Sequence, residues 1–385
     1  MTGTTQPGRD QRMSPSAGQP SEDVRLTPDD LTCLVAAAAR APSVHNSQPW
    51  QFRVRGSDLE LHADPRRMLP QVDPEGREML ISCGAALYGL RLGMRRLGYL
   101  PHVELLPDPA QPALIARVRP GARERTTAEE WDLIAAVPHR HTHRGVFAPG
   151  RVPSRLLDAL VRDAAAEGAD LHLVSQRADV RELARLTEAA SRAQLADPGI
   201  CAELRKWTRP AESGARDGVP ARAWADPSWL DESGAAGAGL ATETGPATEA
   251  GPSAEAPRAG PGRSPEEPAH QRLPQRDFGL PGGLPGGGPL PSATAVLTTA
   301  GDSRADWLAA GQALDRLLLR AAARWVFASL QSQPLESPAL RARVRDRLRL
   351  EGWPQLLLQF GRANVAPATA RRPAAEIIDR GRAGP

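Results

Sequence analysis

The spacing of apolar positions predicts helices and short strands from the first part of the chain onward. A helix is predicted to begin with Thr27 as N-cap and Pro28 in its first turn, and to continue toward Pro42. Two short strands follow, turning at 56–58, and a second helix is predicted over 78–97, where apolar residues recur every three or four positions. Two further strands are expected before residue 121.

The later part of the chain also contains apolar residues at both helical and strand spacings. Helices are predicted over about 125–137, 154–167 and 177–197, with a strand near 170–175. After a strand at 293–301, the sequence GQALDRLLLRAAARWVFASL predicts one long amphipathic helix, followed by a helix at about 337–349 and a strand in QLLLQFG. Helices and strands follow one another without regular βαβ alternation, which favours an α+β fold.

Two stretches lack any such period. Residues 1–25 are small and polar and are predicted to form a disordered tail. In the stretch 231–290, 23 of 60 positions are Gly or Pro, so it cannot bury enough apolar surface to offset its ordering entropy. We therefore expect a flexible insertion or lid at 212–292.

Composition narrows the function classes. A net charge of +3 gives no strongly basic face for nucleic acid, and Lys206 is the only lysine, so no P-loop is present. Three widely spaced cysteines form neither a disulfide framework nor a metal knuckle. Because we find no signal peptide and no run of about 18 apolar residues, we expect a cytoplasmic protein that does not span a membrane.

The densest chemical signal is the segment PSVHNSQPW at 42–50. Two prolines bracket four polar side chains directly after a predicted helix. One interpretation is a rigid loop whose backbone and amide groups bind a heteroaromatic ring or a ribityl chain. The other is a loop that ends the helix, with Pro and Asn as turn formers.

A second signal is HRHTHR at 139–144. In an extended segment Arg140, Thr142 and Arg144 share one face and suit a phosphate, whereas His139, His141 and His143 share the other and suit a metal. A solvated basic strand is the third reading. A third signal is the basic segment Arg371-Arg372-Pro373, which is by itself typical of a solvated tail.

The segment APSVHNSQPWQF resembles the flavin-binding loop of the nitroreductase family, which are FMN-dependent α+β enzymes that are ordinarily homodimers. Arg140-His141-Thr142-His143-Arg144 is similar to the element with which that family grips the flavin phosphate. The helix around 311–330 looks like the family's later helix, whose end reaches the ring. Gly352-Trp353-Pro354 resembles its G-Y-P turn, and the pair 371–372 lies where a basic tail returns to the phosphate.

The order of these motifs differs from that of an ordinary nitroreductase. Here the ring loop comes about 95 residues before the phosphate element, and each half of the chain carries the motif that the other lacks. The chain thus resembles the fused-repeat, Acg-like subgroup: two degenerate nitroreductase-like repeats, 26–137 and 138–211 with 293–385, forming an internal pseudo-dimer around one FMN site. We expect a monomer of this kind or a weak homodimer.

The resemblance implies an FMN-binding oxidoreductase that passes electrons from NAD(P)H through the flavin to a small nitroaromatic or quinone acceptor. The flavin carries that chemistry, so no catalytic side chain and no metal are assigned. The implied FMN-binding residues are Pro42, Ser43, His45, Asn46, Gln48, Arg140, Thr142, Arg144, Ser332, Gln333, Arg371 and Arg372.

An alternative is a stress or dormancy protein that holds FMN with little or no turnover. A feature that separates the two is whether Trp207, Trp224 and Trp229 stack on the flavin ring or anchor the insertion to the body of the protein. A domain that binds a metal through its histidine face is the third reading.

Overall fold

The computed structural model describes residues 25–144, 147–210, 213–220, 293–363 and 369–379. The predicted tail and almost all of the predicted insertion lie outside the described residues. Among the described helices, none combines the length and the apolarity needed to cross a bilayer.

The first half of the chain forms three helices and four strands. They are α1 (Pro28–Ala39), β1 (Trp50–Arg55), β2 (Asp58–Ala63), α2 (Arg77–Arg96), β3 (Tyr99–Leu105), β4 (Leu114–Arg123) and α3 (Ala128–Ala136).

The second half contains more elements, several of them short. They are α4 (Ser154–Ala166), β5 (Asp170–Val174), α5 (Arg177–Leu195), α6 (Pro198–Trp207), β6 (Thr208–Arg209), β7 (Val219–Pro220), β8 (Ala293–Thr299), α7 (Arg304–Ala322), β9 (Val326–Leu330), α8 (Gln333–Glu336), α9 (Pro338–Leu348), β10 (Trp353–Arg362), α10 (Ala374–Ile377) and β11 (Ile378–Asp379).

The described strands form two large sheets and one two-stranded ribbon. The first sheet has the order β11-β1-β2-β4-β3, and the second has the order β5-β8-β10-β9. All neighbours in these two sheets are antiparallel except β11, which runs parallel to β1. The α+β class is therefore confirmed. Apart from β11, both sheets place their strands in the order first, second, fourth, third, with a long helix between the second and third strands.

Those two long helices, α2 and α7, cross at the centre of the molecule. A Cβ atom on Gly84 would collide with the backbone carbonyl of Leu308, and one on Gly311 would collide with that of Ile81. The backbones of the two helices therefore touch where each carries a glycine, since only glycine permits so close an approach. The halves are joined through a shared core and not through a loose contact.

The predicted start of the first helix is confirmed in detail. Thr27 is the N-cap of α1, and its hydroxyl and the Asp30 carboxylate form a capping box, with Pro28 in the first turn. The predicted long helix over 311–330 is wrong at its end, because α7 stops at Ala322 and Val326–Leu330 is strand β9. Trp325, in the left-handed region with φ 53°, separates the two elements.

The predicted boundaries at 137/138 and at 293 remain predictions. One observation bears on how the halves connect. β11 follows the second sheet in the chain, yet Phe52 of β1 pairs with Ile378 of β11 in the first sheet. The last described segment of the chain therefore returns to the first half.

Candidate functional site

Three separate segments of the chain line one cavity between the two halves. It contains about 790 Å³ of empty space, including the part that opens to solvent. Its walls come from the loop before β1, the segment after α3 and the turn after β9, together with residues of α2, α7, β7 and β10. The predicted site residues that line it are Pro42, Ser43, His45, Thr142, Arg144, Ser332 and Gln333.

The loop before β1 is held in an unusual backbone conformation. His45, Asn46 and Gln48 all lie in the left-handed region, with φ of 49°, 54° and 50°. The Ser43 hydroxyl accepts a hydrogen bond from the Gln48 backbone N–H at 3.0 Å. Non-glycine residues in this region cost free energy, and such positions concentrate at binding sites.

The side chains of Asn46 and Gln48 do not reach the cavity. Asn46 Nδ2 donates to the carbonyls of Gly218 and Ala370, at 2.9 and 3.2 Å. Gln48 Nε2 donates to the Arg216 carbonyl at 2.7 Å, and Gln48 Oε1 accepts from the backbone N–H of Arg372. These two amides therefore tie distant backbone segments to the loop and are not on the cavity wall.

The segment after α3 runs along the edge of β9. Thr142 forms an isolated bridge with Ala328, and the His143 backbone N–H donates to the Ala328 carbonyl at 2.8 Å. Thr142 and Arg144 line the cavity, but Arg140, predicted on the same face, does not, and His143 lines it as well. The separation into an arginine face and a histidine face is therefore only partial.

The histidines of this segment pack against aromatic rings. His141 lies 4.1 Å from the Phe327 ring and His143 stacks on Phe147 at 4.5 Å, measured between ring centroids. Burial, reinforced by the nearby arginines, lowers the pKa of His141 to about 4, so this ring is neutral at pH 7. Within the described ranges, no group of three His, Cys, Asp or Glu side chains is arranged to hold a metal ion.

Four guanidinium groups and one carboxylate lie together beside this cavity, at the C-terminal end of α1. We call the four the arginine cluster. Its members come from the C-cap of α1, the segment after α3 and the segment before α10, and the carboxylate comes from α7: Arg40, Arg140, Arg144 and Arg371, with Asp315.

The arginine cluster is held by backbone carbonyls. Arg140 Nη2 donates to the Arg40 carbonyl at 2.8 Å, and Arg371 Nη2 donates to the carbonyls of Arg40 and Ala41. These carbonyls follow the last turn of α1, where the helix dipole favours positive charge. Burial lowers the pKa of Arg140 to about 10 and that of Arg371 well below its usual value.

Arg144 connects the arginine cluster to the cavity. Part of its side chain is accessible because it faces the cavity, but the residue lies deep in the fold, and burial, then the charge of Arg140, lowers its pKa to about 10.

The donors of the arginine cluster are incompletely used by the described residues. Arg40 Nε, Arg140 Nη1 and Arg371 Nε are buried and have no hydrogen-bond partner there. Arg140 Nε lies 3.9 Å from Asp315 Oδ1, which is too far for a hydrogen bond. Buried cations without full pairing are costly, so this arrangement is suited to an anion with several oxygen atoms.

The predicted tail pair divides in the structure. Arg371 belongs to the arginine cluster, whereas Arg372 Nη2 donates to the Glu376 carbonyl and the charges nearest to it are those of Arg67, Asp64, Glu376 and Asp217. Only Arg371 lies where an anion beside the cavity can be reached.

Sequence reasoning missed three residues here. Arg40 and Asp315 belong to no motif and reach the cluster only through the fold. Gln331 lines the cavity, and its Oε1 and the Nε2 of neighbouring Gln333 are buried without a hydrogen-bond partner among the described residues. An acceptor and a donor of this kind suit the polar edge of a ring.

Of Trp207, Trp224 and Trp229, the structure describes Trp207, which packs into the body of the protein. Trp207 is 4% exposed and packs with Leu69, Val72 and Val219. Val219 lines the cavity, whereas Trp207 does not. Trp224 and Trp229 lie outside the described residues.

Comparison with known sequences gives relatives over most of the chain. No model of a known protein family matches the sequence. The protein named "Putative NAD(P)H nitroreductase Rv3131" from Mycobacterium tuberculosis is 29% identical over 366 residues, which cover 91% of each chain. An uncharacterized protein of the same organism, Rv3127, is 30% identical over 351 residues and 89% of each chain. "Putative NAD(P)H nitroreductase acg" is 31% identical over 202 residues, 51% of this chain and 59% of the relative.

Among solved structures, a nitroreductase with bound FMN from Bacteroides fragilis aligns with 62% of this chain and 93% of its own. The sequence identity is 10% and the TM-score is 0.32.

Proposed function

The chain belongs to the nitroreductase family, and from this premise we propose that it is an FMN-binding oxidoreductase that takes electrons from NAD(P)H. Nitroaromatic compounds or quinones are the proposed acceptors. We also propose that the two halves are degenerate repeats that form an internal pseudo-dimer with one flavin site. The shared strand order of the two sheets and the crossing of α2 and α7 support that arrangement.

One observation carries the proposal of a flavin site. The loop before β1, the segment after α3 and the turn after β9 line a single cavity, and beside it lie buried guanidinium donors that have no hydrogen-bond partner within the described part of the chain. FMN has a dianionic phosphate and a planar ring with a polar edge. The arginine cluster suits the first, and the buried amide atoms of Gln331 and Gln333 suit the second.

The chain's own residues then divide the work of binding. Arg140, Arg144 and Arg371 would neutralise the phosphate, and the Thr142 hydroxyl would add a hydrogen bond. Gln333 and the Ser43 loop would orient the ring and limit the access of water. When bound, FMN supplies hydride acceptance from a nicotinamide and electron delivery to an acceptor.

The first test removes the cations that face the phosphate. The double variant Arg140→Ala/Arg144→Ala should purify without flavin, while wild-type protein should carry about one FMN per chain by visible absorbance. Arg185→Ala is the matched control, because this arginine lies on α5 with a side chain that is 76% exposed. Circular dichroism checks that the double variant folds, and unchanged flavin content in the folded variant would refute the assignment.

A second test separates turnover from storage of the cofactor. The yellow wild-type protein is mixed anaerobically with NADH and then with NADPH. Bleaching of the flavin absorbance with either nucleotide supports the oxidoreductase. Protein that stays yellow with both would instead support an FMN-holding role, and protein that cannot be loaded with FMN would refute both.

A further inference from the structure

Asp315 is a buried acid in a site otherwise built from cations. It lies on α7 and is 3% exposed. Its Oδ1 atom has no hydrogen-bond partner among the described residues, and the nearest cationic atom recorded is Arg140 Nε, at 3.9 Å. A carboxylate that was a structural partner of these arginines would form short, direct hydrogen bonds, as Asp163 does with Arg316 at 2.9 Å.

The charges that face Asp315 come from several elements. Arg140 reaches it from the segment after α3 and Arg371 from the segment before α10, while Arg40 and Arg144 act on those two arginines. On α2, the Tyr88 phenol is the titratable group on which the Asp315 charge acts. The centre thus has four guanidinium groups against one carboxylate.

We infer that the ionised Asp315 carboxylate is the counter-ion of the arginine cluster when no ligand is bound. When a dianionic phosphate group binds there, the Asp315 carboxylate takes up one proton from solvent and becomes neutral. This inference rests on the proposed FMN function and adds a residue that determines how the affinity for FMN depends on pH. Two anions cannot share so small a buried space without repulsion, whereas a protonated Asp315 leaves all four cations to the phosphate.

The direction of the pH effect follows from the burial of this acid. Burial raises the pKa of Asp315 to about 7, although Arg140 and Arg371 oppose the rise. A bound phosphate raises that pKa further, because like charges disfavour ionisation. The complex therefore keeps a proton that the free protein loses above pH 7, and the affinity for phosphate falls as the pH rises.

The experiment measures FMN affinity of flavin-free wild-type protein by fluorescence quenching between pH 7.5 and 9. The second ionisation of the phosphate, near pH 6, is complete in this range. Coupling to one proton predicts an affinity about tenfold lower per pH unit. Asp315→Asn should bind FMN at least as tightly as wild type at pH 7.5 and should show no such decline. Asp163→Asn, which changes a buried acid outside the cluster, should keep the wild-type profile.

Two further measurements make each outcome decisive. Riboflavin lacks the phosphate, so its affinity should not change over this range. Titration calorimetry of wild type at pH 8, in buffers with different ionisation enthalpies, should show uptake of about one proton and needs no variant. A flat wild-type profile, a decline retained in Asp315→Asn, an equal decline for riboflavin, or no proton uptake would each overturn the inference while leaving FMN binding in place. Failure of wild type to bind FMN at any pH would overturn the proposed function and this inference together.

Discussion

The two halves of the molecule share a strand order but differ in their connecting segments. In the first half, residues 40–49 join α1 to β1, and only Gly56 and Ser57 separate β1 from β2. In the second half, residues 167–169 join α4 to β5, and the connection from β5 to β8 runs from residue 175 to 292. The long connection therefore precedes the first strand of the sheet in the first half, whereas in the second half it lies between the first and second strands.

This difference separates the parts of the sequence that build the fold from those that build the site. The long helices α2 and α7 are each buried along most of their length, and each follows the second strand of its sheet. Half of the residues that line the cavity lie on connecting segments, such as the long loop before β1, which is replaced by the short connection 167–169 in the second half. The comparison predicts that equivalent core changes cost both halves alike and that the halves unfold as one unit.

The largest effect is expected in the two cores. Phe52 of β1 and Phe360 of β10 are each 0% exposed, one in each sheet. Phe52→Ala and Phe360→Ala should each lower the free energy of unfolding by about 3–5 kcal/mol, because each leaves a cavity. Denaturant unfolding followed by circular dichroism should show one transition in both variants.

The matched controls are Phe52→Leu and Phe360→Leu, which keep most of the volume and should cost less than about 1.5 kcal/mol each. Two separated transitions in either alanine variant would mean that the halves are independent units, against the comparison.

A smaller effect is expected where the long helices cross. In Gly311→Ala the added methyl group collides with the carbonyl oxygen of Ile81. It also lies 2.8 Å from the backbone N of Ala85. Because backbone must move to admit it, the free energy of unfolding should fall by about 3 kcal/mol. Gly214→Ala is the control, since nothing lies within 4 Å of the added atom there and its backbone is not left-handed. Equal thermal stability of the two variants would show that the crossing tolerates separation.

The smallest effect is expected at the first turns of these helices. The Ser303 hydroxyl caps α7 by accepting from the Asp306 N–H, whereas in α2 the Asp73 carboxylate accepts from the N–H groups of Glu78 and Met79. Ser303→Ala and Asp73→Ala should each cost about 1 kcal/mol in thermal or denaturant unfolding. Thr32→Ala in α1, at a position past the first turn, serves as the comparison. A large cost for only one of the two caps would show that the halves are not equivalent at this position.

Some helices and strands could be predicted from the sequence because the residues that determine them lie close together in the chain. Thr27, Pro28 and Asp30 lie within one turn and predict the start of α1 with no knowledge of the rest of the chain. The end of α7 was not readable in this way. The mostly apolar segment Val326–Leu330, in which Ser329 is the polar residue, is compatible with a helix or with a buried strand, and its pairing with β10 decides between them.

The site could be predicted only in part, because only some of its residues lie in local sequence motifs. Ser43 and Thr142 lie in motifs, and the fold brings both to the cavity wall. Arg40 and Asp315 are single residues in ordinary helical sequence, and nothing near them in the chain marks them. Their role follows from long-range packing, which no spacing rule describes. Asn46 lies in a motif, but its side chain holds Gly218 and Ala370 in place.

Because β11 pairs with β1, the first sheet cannot be completed until the segment around residue 378 has been synthesised. Residues 378–379 leave the ribosome long after 50–55, and at about 5–20 residues per second the interval is roughly 15–65 s. During this interval the nascent first sheet has an open edge beside β1, a surface on which chaperones and neighbouring chains can act. Arg371 emerges in the same late segment, so the arginine cluster lacks one of its four cations throughout this interval. A phosphate-bearing ligand can therefore meet the complete cluster only after the segment around residues 371–379 has been made.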